Sequence, residues 1–283
     1  MKIGISGASG QLGIATVKDL KARLAADHIV GISRTPEKVE ALGVAARFGD
    51  FDDPKSLLEA FAGLDRLLII PSPDLAPGAR AAQSSAAIHR AVEAGVEHVM
   101  FTSTLGARAV DKTHLWDGYF TAEQTLMRAA KKWTILRAAY YAESLIQQVR
   151  MDVAGGVHAS IAPTPVNFIA RDDLAAAAAG VLATEGHHGV IYQATGPASL
   201  SGEERAASIA KALGKPYGFA QISLAQYREK LKGAGLPAPV IDARASIQEM
   251  WASGGLDVVT RDVERLAGRR PRSLAEVMGA AFS

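Results

Sequence analysis

The sequence predicts an α/β chain, a doubly wound parallel sheet with a smaller, mainly helical C-terminal lobe. Three observations predict it. Short apolar runs alternate with longer helical patterns through the first half, and the connections are short. The runs are apolar on both faces, as strands covered by helices on each side are. Beyond Pro163 the pattern becomes mainly helical, punctuated by Gly and Pro. A chain of 283 residues is long enough for a large domain with an appended lobe. The expected division is a sheet domain over residues 1–150, with later returns of the chain at 165–195, and a lobe over 151–283.

The elements follow in order. Apolar runs place strands at Lys2–Ser6, Ile29–Ser33, Ala45–Phe48, Arg66–Ile70, His98–Ser103 and Thr134–Arg137. Between them lie helices at Gln11–Ala25, Pro36–Leu42, Pro54–Phe61, Ala79–Ala94 and Trp116–Ala130. Asp53 is the expected cap of the helix that begins at Pro54. Pro163-Thr164-Pro165 leads into a strand at Val166–Ile169, then a helix at Asp172–Ala183 and a strand at Val190–Ala194. Helical patterns at Ser201–Ala212, Ser223–Gly233, Pro239–Ala252 and Arg261–Leu266 complete the chain, broken by Gly214, Pro216, Gly235 and Pro237. There is no internal repeat, low-complexity segment or flexible linker.

Composition narrows the function. Hydrophobic residues make up 48% and charged residues 21%, as in a soluble globular protein. With 31 basic and 29 acidic residues the net charge is +2, which gives no electrostatic case for nucleic acid or an anionic membrane. The five arginines between Arg261 and Arg272 are interrupted by Asp262 and Glu264, and read as a solvated helix face. Cysteine is absent, which excludes disulfides, thiolate metal sites and Cys nucleophiles. The seven histidines are scattered, His187-His188 reads as a surface turn, and no metal site is expected. No leader is visible ahead of the first strand. Ala175–Ala183 is the nearest approach to a spanning run, and Arg171, Asp172 and Asp173 precede it. A cytoplasmic protein is the expectation, and oligomeric state is open.

The first strand runs into Gly7-Ala8-Ser9-Gly10-Gln11-Leu12-Gly13 and then an Ala/Leu/Val helix. Three glycines at this spacing form a dinucleotide fingerprint. The first permits the tight turn, the second lets backbone approach a pyrophosphate, and the third lets helix pack on strand. Pyrophosphate then sits on the helix N-terminus, against Ser9, Gln11 and Leu12. In an NAD site an acidic residue about 20 positions on holds the ribose 2′-hydroxyl. Here the second strand ends Gly31-Ile32-Ser33-Arg34-Thr35, with Lys38 one turn further. A guanidinium with Ser33 beside it suits a 2′-phosphate, so NADPH is expected over NADH. Asp50 and Phe51, after the third strand, are placed at the adenine edge. Ile70, Pro71 and Ser72, after the fourth, form a backbone wall along the cofactor.

These residues, with Ala94-Gly95-Val96-Glu97-His98, Arg137-Ala138-Ala139-Tyr140-Tyr141, Arg171-Asp172-Asp173-Leu174 and Tyr192-Gln193-Ala194-Thr195-Gly196, resemble the NmrA-like atypical short-chain dehydrogenases/reductases. The resemblance covers nearly the whole chain. Within that family it is most similar to type 2 NAD(P)H:quinone oxidoreductases and triphenylmethane dye reductases. It implies a Rossmann domain holding NADPH, a C-terminal lobe closing over the nicotinamide, and a planar conjugated acceptor, quinone or dye-like. It also implies neither flavin nor metal.

Short-chain dehydrogenase chemistry uses a tyrosine tuned by a lysine four residues on. Tyr119 stands at the matching place, followed by Glu123, whose charge has the wrong sign to favour a tyrosinate. Alcohol dehydrogenation is therefore disfavoured. Hydride delivery to an electrophilic quinone needs mainly proximity and orientation. The loss of lysine fits that reaction, and equally a non-catalytic NADP(H)-reading sensor of the NmrA kind. Of three Trp, six Tyr and eight Phe, six fall between Trp116 and Tyr141. Trp116, Tyr119, Tyr140 and Tyr141 are candidate stacking walls for the acceptor, whereas Trp133 reads as core. Thr102, Ser103 and Thr104 end the fifth strand. A hydroxyl there touches nicotinamide or substrate, Thr102 being the catalytic candidate beside Tyr119, or it simply satisfies backbone groups; both readings stand equally at this point.

Overall fold

The computed structural model describes residues 1–110 and 115–283. Its elements, in chain order, are β1 (Ile3–Ser6), α1 (Gln11–Lys21), β2 (Ile29–Ser33), α2 (Pro36–Glu40), β3 (Ala45–Phe48), α3 (Pro54–Phe61), β4 (Arg66–Ile69), α4 (Ala79–Glu93), β5 (His98–Thr104), α5 (Leu115–Ala129) and β6 (Lys132–Ala138). There follow β7 (Tyr140–Tyr141), α6 (Ala142–Asp152), β8 (Val157–Ser160), β9 (Val166–Ile169), α7 (Arg171–Ala183), β10 (Val190–Ala194) and β11 (Ser199–Leu200). The last are α8 (Gly202–Leu213), β12 (Gly218–Gln221), α9 (Leu224–Gly233), α10 (Ala238–Ala252), α11 (Asp262–Ala267) and α12 (Leu274–Phe282). They divide into two compact units. One is assembled from Met1–Ala138, Arg171–Ala194 and Asp262–Arg269, the other from Ala139–Ala170, Thr195–Arg261 and Arg270–Ser283.

The first unit holds a seven-stranded sheet ordered β10-β6-β5-β4-β1-β2-β3, parallel at every pairing. The chain runs outward from β1 through β2 to β3, then crosses to β4 on the other side of β1 and runs outward again. The loops after β1 and β4 therefore diverge, and the crevice between them lies at the carboxyl edge of the sheet. On one face Val30, Ile32, Leu67, Ile69, Val99 and Phe101 alternate along β2, β4 and β5 into a core completed by α3, α4 and α5. Asp53 caps α3 as expected, its carboxylate accepting from Lys55 N at 3.2 Å. The helix α1 ends at Lys21, short of the expected Ala25, because its last turn tightens: Ala22 N bonds Asp19 O, and Arg23 N bonds Leu20 O.

The apolar run after Asp172 is a core helix. Every residue of α7 from Asp173 to Leu182 is buried, and α7 packs against both α1 and α11. At Gly180 a Cβ would stand 1.9 Å from Leu266 O, so the approach of α11 requires glycine there. Asp173, fully buried, is ion-paired with Arg269. Among the described residues no helix is long and apolar enough to cross a membrane.

In the second unit β9 joins β11 antiparallel and β7 parallel, and β12 joins β8 parallel. Ser201, Ser223 and Ser273 open α8, α9 and α12 with reciprocal capping boxes to Glu204, Gln226 and Glu276. The buried Arg205 donates to the carbonyls of Thr164 at 2.9 Å, Leu200 at 2.8 Å and Ala162 at 2.5 Å. It lies 5.2 Å over the Trp251 ring. Burial lowers this guanidinium to about 10.

Two buried histidines make the fold acid-sensitive. His98, at the start of β5, bonds Thr134 Oγ1 at 2.8 Å, and burial, then the charge of Arg66, lowers it to about 4. In β8, His158 is lowered to about 3, first by burial and then by Arg205. Each takes a proton in the unfolded chain near pH 6.5 that it refuses when folded. Their contribution to stability is complete above that pH and is lost as the pH falls toward 4 and 3. Urea midpoints at pH 7 and pH 5 should differ by an amount corresponding to about 2 kcal/mol per histidine. His98→Gln and His158→Gln should each flatten the fall.

Candidate functional site

The glycine turn sets the site. Gly7 takes φ of +77°, a left-handed conformation that admits glycine readily. Its N–H and that of Ala8 both bond Ile32 O, at 3.0 and 3.1 Å, which ties the turn to β2. A Cβ on Gly13 would fall 2.3 Å from Gly7 O and 2.6 Å from Ala8 Cα, so α1 can start this close to β1 only with glycine at that place. Gly10 caps α1 with no side-chain acceptor. The first-turn N–H groups of Gln11, Leu12 and Gly13 are the ones a helix start leaves for an external anion. A diphosphate fits this cradle, because glycine has cleared it and no carboxylate fills it.

At the end of β2, the hydroxyl of Ser33 donates to Ser9 Oγ at 2.6 Å and accepts from Thr35 N at 3.0 Å. Ser33 thus joins the strand tip to the glycine turn. Arg34 and Lys38 stand beside it, both exposed and neither in an ion pair among the described residues. They are two uncommitted cations where an acidic residue would serve NAD. After β3, Asp50 is half-buried and its carboxylate accepts from Asp52 N at 3.1 Å, while Phe51 packs on the α3–α5 core. Beyond β4, Ile70, Pro71 and Ser72 are half-buried, and Ser72 O accepts from Arg80 Nε at 2.9 Å.

The hydroxyls that end β5 are committed within the protein. Thr102 Oγ1 donates to Ile69 O at 3.4 Å, and Ser103 Oγ donates to Glu123 Oε1 at 2.5 Å. Glu123, fully buried, also accepts from Arg137 Nε at 2.8 Å and pairs with its Nη2. The Glu123 carboxylate holds the Arg137 guanidinium above its ordinary value. Ser103 and Arg137 are register partners across β5 and β6, so the sheet itself delivers both groups to one carboxylate.

On α5, Tyr119 and Glu123 lie one turn apart on one face. The Tyr119 ring packs on the core, and the Arg80 guanidinium carbon stands 5.0 Å from its centroid. Trp116 is 4% exposed. The structure thus brings Tyr119, Thr102 and Ser103 into one unit with the glycine turn, Arg34 and Lys38. Tyr140 and Tyr141 fall in the second unit. There Tyr140 meets Trp251 and Phe168 edge-on, at 5.0 and 6.0 Å between centroids. Its hydroxyl accepts from Gln148 Nε2 at 2.8 Å, and burial pushes the phenol above its ordinary value. Sequence reasoning gave no role to Arg137 or Arg80. The first is visible only through strand register and the second only through helix packing. Among the described residues no cluster of metal-binding side chains occurs.

Removing the carboxylate strands a half-buried guanidinium and a buried hydroxyl. Glu123→Ala should therefore lower the unfolding free energy by about 3 kcal/mol, the low end for a broken buried pair because Arg137 keeps some solvent. Urea denaturation measures it.

Comparison with known proteins agrees with this geometry. A family model described as NAD(P)H-binding matches residues 7–213. Quinone oxidoreductase 2 of Escherichia coli (strain K12) is 32% identical over 285 residues, covering 99% of each chain. The crystal structure of an E. coli NADPH-dependent quinone oxidoreductase complexed with NADPH superposes with a TM-score of 0.92 at 31% identity, over 99% of this chain and 100% of that one. The Citrobacter sp. triphenylmethane reductase complexed with NADP(H) gives 0.91 at 27% identity, with both chains covered in full.

Proposed function

The chain belongs to the NAD(P)H-binding family, and from that premise we propose that it reduces a quinone-like, planar conjugated acceptor with NADPH, by two electrons at a time. It is an NAD(P)H-dependent reductase, and NADP(H) is its cofactor. The observation that carries the finer reading is the fate of Glu123. It occupies the position of the lysine that tunes a dehydrogenase tyrosine, and its carboxylate is taken up by Arg137 and Ser103. No amine is present at that place to assist Tyr119, so the site suits an acceptor that is electrophilic without help.

The roles follow from position. The Gly7–Gly13 turn and the open N–H groups of α1 hold the diphosphate, with Ser9 and Ser33 bracing the turn. Arg34 and Lys38 hold the 2′-phosphate, and Asp50 and Phe51 border the adenine. Ile70, Pro71 and Ser72 wall the dinucleotide, and Thr102 and Ser103 face the nicotinamide end. When bound, the dinucleotide supplies a hydride. Tyr119 orients the acceptor by its ring, and the proton that completes the hydroquinone comes from solvent or a nearby hydroxyl. NADPH consumption with a panel of quinones and dyes tests the reading. Tight NADPH binding with no acceptor-dependent consumption would overturn it in favour of a sensor.

Arg34 replaces the acid of NAD enzymes, so Arg34→Asp should weaken NADPH binding about ten- to a hundredfold, the worth of one charge-assisted contact. Isothermal titration with both dinucleotides measures it, and unchanged NADPH affinity would remove Arg34 from the site.

Tyr119→Phe keeps the ring and removes the hydroxyl. With a soluble quinone its kcat should stay within a few-fold of wild type. An essential general acid would contribute about 10²–10⁴-fold. A loss of that size with unchanged NADPH affinity would assign the acid chemistry to Tyr119 and favour carbonyl reduction instead.

A further inference from the structure

One cation beside the site has no assigned work. Arg80, in the first turn of α4, is half-buried. Its Nε donates to Ser72 O at 2.9 Å and its guanidinium carbon lies 5.0 Å from the centroid of the Tyr119 ring. These two contacts fix the plane of the guanidinium. Among the described residues its terminal nitrogens meet no acceptor and it pairs with no carboxylate. Asp52 accepts from Gln83 Nε2 at 2.7 Å and Asp74 accepts from Ala76 N at 2.8 Å, and neither is paired with Arg80.

The buried Arg205 spends its terminal nitrogens on three carbonyls, whereas Arg80 bonds through Nε alone. A guanidinium taken partly out of water with its terminal donors unspent loses hydration for little return. Here the cation is held at two points, its terminal donors are open among the described residues, and its two anchors are a residue of the proposed dinucleotide wall and the ring assigned to the acceptor. An immobilised fork recognises a planar anion with little further loss of side-chain freedom.

We propose that Arg80 selects the acceptor, by pairing its open guanidinium edge with an anionic substituent, a sulfonate or carboxylate, on a planar conjugated ring stacked at Tyr119. The proposal rests on the acceptor-reducing reading of this site and narrows it to anionic ring systems. A cationic dye of the same size is disfavoured by the same charge. Ser72 and Tyr119 act as its supports, through the Nε bond and the ring face.

The test compares naphthoquinone with its ring sulfonate. For each, kcat/KM for NADPH oxidation is measured in wild type, Arg80→Gln and Arg80→Lys, and the Kd of the oxidised-dinucleotide complex for each compound is measured by titration calorimetry. Wild type should favour the sulfonate, and the ratio of the two kcat/KM values should fall about ten- to a hundredfold in Arg80→Gln, as loss of a charge-assisted contact implies. Arg80→Lys, which keeps the charge without the fork, should fall between them. The ratio of Kd values should move in parallel. Ratios that stay within twofold across the three proteins would overturn the proposal, whatever happens to the absolute rates. If wild type turns over neither compound, the acceptor-reducing reading fails, and the Kd ratio still decides whether Arg80 binds the anion.

Discussion

How closely α1 can approach the end of β1 controls the carboxyl edge of the sheet. With Gly13 Cα beside Gly7 O, the helix begins directly on the strand, and its first N–H groups face the crevice where the chain changes direction across the sheet. A side chain at position 13 would meet Gly7 O and Ala8 Cα and push the helix off the strand, and its first N–H groups with it. The bonds from Gly7 N and Ala8 N to Ile32 O then lock the turn to β2. The strand tip that follows, with Ser33, Arg34 and Lys38, is thereby fixed at a set distance from the diphosphate cradle. The shape of this edge is thus a property of backbone geometry first and of side chains second.

The second half of the site obeys a different logic. Glu123, Arg137 and Ser103 form a closed polar set, with each charge satisfied by the others and by the β5–β6 register. A lysine at position 123 would leave an amine free to act on Tyr119 and would place it against Arg137. The chain has instead a neutral, rigid pair that holds α5 against the sheet. Rigidity there is useful to a reaction in which orientation supplies most of the rate.

Much of this was legible in the residues. Strand and helix types in the first unit followed from apolar runs and from Asp53-Pro54, because buried parallel strands write themselves as uninterrupted apolar segments. The glycine turn was legible because a helix that starts this close to the strand before it restricts residue type at fixed spacing. Less legible were α6, β7, β8, β11, β12 and α12. Two-residue strands such as Tyr140–Tyr141 and Ser199–Leu200 have too few residues for any period to show. The commitments of Ser103 to Glu123 and of Arg80 to Ser72 link residues 20 and eight positions apart. They depend on which face of a helix meets which strand, a matter of packing that one sequence does not spell out. The run at Ala175–Ala183 gave its apolarity plainly, and only the closeness of Leu266 to Gly180 explains why it is so small-sided.

The first unit is not contiguous. Its sheet gains its last strand, β10, from residues 190–194, and the helix that covers α7 comes from residues 262–267. A nascent chain emerging from the ribosome therefore has the whole dinucleotide turn in hand long before it has the pieces that close the sheet. β6 waits as an open edge through the synthesis of more than fifty intervening residues. The face of α7 opposite Leu266 stays uncovered for longer still. Folding of this unit is thus completed only once residues 262–267 have been made. A fragment cut at residue 150 would carry the glycine turn and Arg34 and yet lack the strand and two helices that complete this unit.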